Sequence, residues 1–150
     1  MTTTGIEAAV IIPYVPGPPT TAKIAIDRNV FSVLALVDIT TAGRRVLDQL
    51  LYLHDPDTGV ACISQNEMCS ALGASKPTVN RGFRELAECG LAWALPAEQA
   101  KYQLHPLLTN GATSSPVMAV PEIKAADPAT FTAQRRARYN AQVANLGRSA

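Results

Sequence analysis

Residues 63–90, ISQNEMCSALGASKPTVNRGFRELAECG, decide the fold. They read as two short helices joined by a tight turn. Ser64 and Glu67 have the S-x-x-E spacing of a capping box, in which each side chain satisfies a backbone N–H left free at a helix start. Ile63 and Met68 have the spacing of a hydrophobic staple across the same start. Leu72 closes the apolar face, and Gly73 supplies the left-handed residue that ends a helix. Ser75 then offers a second N-cap, with Pro77 in the first turn, where a missing N–H is harmless.

The second helix divides its labour between faces. Val79, Phe83 and Leu86 recur at i, i+4 and i+7 and make one buried stripe. Gly82 lies beside that stripe, where its lack of side-chain volume admits a second helix at close range. The other faces carry Lys76, Thr78, Asn80, Arg81 and Arg84, with Ser75 at the helix start. These are donor-rich side chains of the kind that reach phosphates and base edges. Gly90 stops the helix, and Leu91 restarts an apolar pattern.

The run SQNEMCSALGASKPTVNRGFRELAECGLA resembles the helix-turn-helix of winged-helix DNA-binding proteins: a capped helix, a short turn, S-x-x-T-V-x-R, a small residue, then L-x-x-x-G-L. With its continuation into a wing, the likeness covers roughly residues 39–111. The ending YQLHPLLTNG at residues 102–111 is similar to the strand-then-x-N/H-P ending of RepL-type plasmid replication proteins, with His105 where Asn is usual. Residues 23–111 follow the order and spacing of that family. The resemblance implies an α+β, mainly helical fold: a winged helix-turn-helix with a two-stranded wing, a flexible N-terminal tail and a basic C-terminal helix. It also implies binding of double-stranded DNA in plasmid-type replication initiation or its control. MarR-type regulators share the helix pair and wing, so a promoter-binding repressor is the alternative. A winged-helix protein–protein adaptor is a third reading. The partners so implied are duplex DNA and host replication or transcription proteins.

Composition adds limits. The chain has 150 residues, enough for one small domain with tails, and 47% hydrophobic residues with only 5% aromatic, hence an aliphatic core. A net charge of +1 is modest for a DNA-binding protein, so affinity has to come from local clusters. Residues 111–150 hold five Lys/Arg against two Asp/Glu, whereas residues 1–110 hold eight against ten. Three cysteines, Cys62, Cys69 and Cys89, are an odd number with no C-x-x-C pair, which argues against a disulfide framework. All three fall in or beside apolar faces and are expected as buried thiols. His54 and His105 add no metal pattern, and no cofactor is implied. The absence of a basic leader and of a long apolar run predicts a cytoplasmic protein without a membrane segment.

The flanks read as follows. Residues 1–22 are a proline-rich tail, in which residues 8–12 could pair as an edge strand or remain unpaired. KIAIDR, residues 23–28, alternates like a short strand. Asn29 could cap a helix through VFSVLALV, though a buried strand fits those residues too. Thr40 or Thr41 caps a helix whose face is Val46, Leu47, Leu50, Leu51 and Leu53, the expected packing partner of the helix pair. Arg44 and Arg45 near its start are either solvated or set against phosphates. Residues 55–59 form a turn and residues 60–63 a strand. Leu91, Trp93 and Leu95 alternate, as do Tyr102 and Leu104, across a turn at residues 96–99. The wing tip is poor in charge and offers only Lys101 to a phosphate.

Residues 112–128 read as a linker, in which Asp127-Pro128 starts a last helix over residues 129–150. That helix carries Arg135, Arg136 and Arg138 with a Tyr139, Val143, Leu146 stripe. It could follow a phosphate backbone, form a homodimer seam or fold back on the domain. No glycine-rich phosphate loop, HExxH or nucleophile elbow occurs, so the reading is of a binding module and not an enzyme.

Overall fold

The computed structural model describes residues 11–116 and 119–147. The fold is α+β and mainly helical. Its helices are α1 (Arg28–Leu34), α2 (Thr41–Leu53), α3 (Gln65–Leu72), α4 (Lys76–Glu88) and α5 (Ala133–Val143). One antiparallel sheet joins β1 (Val60–Cys62), β2 (Ala92–Ala94) and β3 (Lys101–Leu104) in the order β1-β3-β2.

The caps explain where the helices begin. Thr40 Oγ1 accepts from Gly43 N at 3.2 Å to start α2. At α3 the capping box is complete: Glu67 N donates to Ser64 Oγ at 3.0 Å and Ser64 N to Glu67 Oε1 at 2.8 Å. Those bonds, the one from the Ser64 backbone foremost, hold the Glu67 carboxyl below its usual pKa. Gly73 ends α3 at a φ of +60°. Ser75 occupies the N-cap of α4 but makes no side-chain bond to its backbone; its Oγ lies 2.9 Å from Thr78 Oγ1 instead. At α1 the cap is Asp27 and not Asn29, with Asn29 N donating to Asp27 Oδ1 at 2.8 Å. Val30, Val33 and Val37 are buried at helical spacing, so the helical alternative holds for that segment.

The expected strand over residues 23–28 is absent: Asp27 N donates to Leu107 O at 2.9 Å, which ties the chain to the turn after β3 and not to a sheet edge. Of the edge strand considered for residues 8–12, residues 8–10 lie outside the described part, and Ile11 and Ile12 are in no strand.

The sheet has one strand more than a two-stranded hairpin, because β1 pairs along β3 with Ala61 opposite Tyr102. Gln103 on this central strand is fully buried. Its Nε2 faces the carbonyls of Gly59 at 3.1 Å and Leu104 at 2.8 Å, and its Oε1 accepts from Ser114 N at 2.9 Å. A buried amide is tolerated only when so satisfied.

α2 packs chiefly on α4, and glycines make the close approach possible. A Cβ on Gly82 would lie 2.8 Å from Val46 Cγ2 and 3.0 Å from Ala42 O, and one on Gly43 would collide with the Glu85 carboxylate. Glu85 reaches across from α4 to accept from Thr40 N and Thr40 Oγ1, both at 2.9 Å. A carboxylate at the start of α2 also meets the positive end of that helix dipole.

Residues 112–128 differ from the linker expected of them. Ile123 and Ala125 are buried, Lys124 N donates to Cys89 O at 3.0 Å, and Ala125 N donates to the Tyr139 hydroxyl at 2.7 Å. Gly90, at a φ of +74°, leaves no room for a Cβ against the Glu122 carbonyl. The last helix begins at Ala133 and not after Asp127, because Phe131 is extended and Thr132 Oγ1 supplies the cap to Arg135 N at 3.2 Å. Residues 128–130 form only a 3-10 turn. Residues 119–147 are therefore part of the body, and Tyr139 is buried in it, not free to form a seam.

Gly82→Ala gains up to about 1 kcal/mol of helix propensity but incurs overpacking of about 1–3 kcal/mol. The net expectation is destabilisation of about 1 kcal/mol, and more for Gly82→Val, read as the midpoint of urea unfolding.

Candidate nucleic-acid interface

α4 is held by its inner face. Val79, Gly82 and Leu86 are buried, and Phe83 stacks on Tyr102 of β3 with ring centroids 4.3 Å apart and planes at 16°. At about 100° per residue, Arg81 and Arg84 then fall opposite that face and Asn80 on its flank, while Lys76, seven residues before Phe83, lies at the edge of the buried stripe in the exposed first turn. All four are exposed, and among the described residues none has a side-chain hydrogen bond or ion pair. Three are cations. Of the two acids of the same helix, Glu85 is turned inward to Thr40, whereas Glu88 is exposed on the face of Arg81 and Arg84 and offsets part of their charge.

The remaining α4 positions of the sequence reading play smaller parts. Thr78 is half-buried and bonded to Ser75, and it lines a cleft of about 200 Å³ with Thr41, Arg45, Leu72 and Ala74. Arg45, from α2, thus stands beside the start of α4 with its charge unpaired among the described residues. Arg44 instead pairs with Asp48 at 3.3 Å, an exposed pair of little strength.

The other expected contacts are engaged elsewhere. Lys101 Nζ bonds Glu98 Oε1 at 2.9 Å, which raises its pKa and neutralises the β2–β3 connection. Arg135 Nε donates to Leu36 O at 3.0 Å and its Nη2 to Asp38 Oδ1 at 2.8 Å, while the guanidinium sits 4.1 Å from the centre of the Phe131 ring. Arg136 Nη2 donates to Ala129 O at 3.0 Å and Phe131 O at 3.2 Å. Arg138 lies 3.0 Å from the Gln142 amide oxygen when that amide donates its nitrogen to Ser32. These arginines fasten α5 to its own surroundings. The picture of a mobile basic helix is corrected accordingly: Leu36 O and Asp38 hold Arg135, while Arg136 and Arg138 stay exposed with only part of their donors engaged within the chain.

The thiols divide as well. Cys89 is buried, and burial, then Glu85 and Glu88, push its pKa up, so it stays a protonated core thiol. Cys69 is half-buried. Cys62 is exposed on the edge strand β1 opposite Lys101, contrary to the expected burial, because strand alternation turns it away from the core between buried Ala61 and Ile63. Among the described residues no cluster of three or more His, Cys, Asp or Glu could hold a metal, and no helix is long and apolar enough to cross a membrane.

His105 is a buried strand-end residue. Its Nδ1 accepts from Leu107 N at 3.1 Å, which places the proton on Nε2, 3.1 Å from Pro121 O. Burial lowers its pKa, partly offset by the Pro121 carbonyl. Comparison of the chain with protein-family models, with curated proteins and with solved structures returns no match.

Two outcomes follow from these contacts. Because the folded state binds the His105 proton less readily than the unfolded state, its contribution is complete above about pH 6.5 and is lost as pH falls through the depressed value. His105→Asn keeps an acceptor for Leu107 N and removes the titration. It should flatten the drop in unfolding midpoint between about pH 7.5 and 5.5. Arg135→Ala should lower stability by about 1–3 kcal/mol in urea unfolding, through the lost bonds to Leu36 and Asp38.

Proposed function

We propose that this chain is a sequence-specific duplex-DNA-binding protein of winged helix-turn-helix type, in which α3 and α4 are the helix pair and α4 enters the major groove. The observation that carries the reading is the outer face of α4. Arg81 and Arg84 point away from the side of the helix that is locked into the core, with Asn80 on its flank and Lys76 in its first turn, all four exposed and, among the described residues, without side-chain bonds. A protein surface leaves several long donors unpaired at little cost, but a rigid helix that turns Arg81 and Arg84 straight outward with Asn80 beside them suits a groove lined by acceptors.

Arg81 is the base-reading residue, since a guanidinium bonds both acceptors of one guanine. Asn80 suits adenine in the same way. Lys76 and Arg84 hold phosphates, and Arg45 extends that contact from α2. The β2–β3 hairpin, neutralised by the Lys101–Glu98 pair, packs under α4 and contributes little charge to the groove. The biological setting proposed is plasmid-type replication initiation or its control, on the likeness of residues 23–111 to RepL-type proteins. A promoter-occupying repressor would use the same contacts.

Selection from a random duplex pool tests the assignment. Arg81→Ala should lose about 1–3 kcal/mol of affinity for the selected site and relax preference at one base pair. Lys76→Ala and Arg84→Ala should weaken all sequences alike, each flattening the slope of log affinity against log salt by about 0.9. An Arg81→Ala protein that selects the same site with equal affinity would refute the role given to α4.

A further inference from the structure

The cleft beside the start of α4 has a floor and a rim of different chemistry. Ala42 and Val46 of α2, Leu72 and Ala74 around the α3–α4 turn, and Val79 of α4 make the floor. Arg45 and two threonines make the rim. We propose that this cleft binds a small aliphatic monocarboxylate, its chain on the floor and its carboxylate on Arg45. Binding there withdraws Arg45 from DNA, a consequence that rests on the phosphate contact given to Arg45 above.

The gap arises from one short side chain. A helix start is often closed by an apolar pair, the residue before the cap packing on the fourth residue after it. At α3, whose cap is Ser64, that pair is Ile63 and Met68, both large and both buried. At α4, whose cap is Ser75, the same positions hold Ala74 and Val79. Val79 is fully buried, but Ala74 is only half-buried, and its single methyl leaves the space beside Val79 open. Ser75 pairs its hydroxyl with that of Thr78 and not with the α4 backbone, so this helix start is under-packed and uncapped at once. α2 and α4 cannot move together to close the gap, because Val46 and the Ala42 carbonyl already crowd Gly82.

Size and charge point to the occupant. A cavity of about 150 Å³ with apolar walls takes one benzene-sized molecule. At about 200 Å³ the cleft therefore holds a body of about six carbons with its polar end at the mouth. The floor is aliphatic throughout, so packing against methylenes is the contact it offers. No acid lines the cleft: Glu85 is bonded to Thr40, and Asp48 to Arg44. Arg45 is exposed and, among the described residues, makes no side-chain bond, so its planar fork is open to a carboxylate. One cation suits one carboxylate, since a second charge would find no partner on the apolar floor.

Titration of the full chain without DNA, followed by backbone amide resonances, tests the site with hexanoate as the probe. Saturable changes are expected at residues 42–46 and 72–79. Each methylene removed, down to butyrate, should weaken binding about fourfold. Hexanoate should bind Arg45→Gln about tenfold more weakly, through the lost charged hydrogen bonds. Ala74→Leu should abolish binding yet keep or raise the unfolding midpoint, because the larger side chain completes the apolar pair. The absence of any saturable change overturns the proposal, and so does binding indifferent to both Arg45→Gln and Ala74→Leu. With a duplex enriched from a random pool, saturating hexanoate should lower affinity about tenfold at about 0.1 M salt, the worth of one phosphate contact, and leave Ala74→Leu unaffected. Unchanged duplex affinity with the cleft filled overturns the link to DNA. A chain that binds hexanoate but enriches no duplex refutes the DNA-binding reading and supports the cleft by itself.

Discussion

The close crossing of α2 and α4 governs the rest of the body. Gly82 brings the two helices close, with Val46 and the Ala42 carbonyl where a Cβ would press, and Gly43 leaves room for the Glu85 carboxylate and Ile39. Glu85 then bonds Thr40 at the start of α2, so the contact is fixed along the helices as well as across them. Once α4 is seated, Phe83 sets the height of β3 through Tyr102. β3 in turn carries Gln103, which gathers the turn before β1 and the chain at Ser114. The outer face of α4 inherits its direction from this chain of contacts.

Much of that frame was legible. The capping box at Ser64, the left-handed Gly73, the α4 stripe and the small residue at Gly82 are short-range signals, each complete within one or two turns. They placed α3, α4 and the outward donors of α4. Gln103, by contrast, carries no such signal. A glutamine in an alternating strand reads as surface, and only the converging carbonyls of Gly59 and Leu104 make it a core residue. Glu85 was equally silent, since its partner Thr40 lies on a different helix. Cys62 went astray for a related reason: proximity to an apolar run does not say which side of a strand a residue takes.

The last forty residues show the limit in another form. Ile123, Ala125, Phe131 and Tyr139 are too widely spaced to make a period, yet each is buried against the body. Prolines and small residues between them resemble a tether, and three arginines resemble a phosphate-binding helix. In the structure Arg135 is held by the Leu36 carbonyl and Asp38, and Arg136 gives one nitrogen to the Ala129 and Phe131 carbonyls. Charge density along a sequence says how many cations there are; only packing says which remain available. That distinction concentrates the proposed DNA contact on α4 and Arg45.

The claim that α4 is the DNA-facing element is tested most directly by following backbone amide resonances of the full chain during titration with a duplex enriched from a random pool. The account expects the largest changes at Lys76 through Arg84 and beside Arg45, with α5 little affected. Changes centred on α5, or a chain that enriches no duplex, would contradict it.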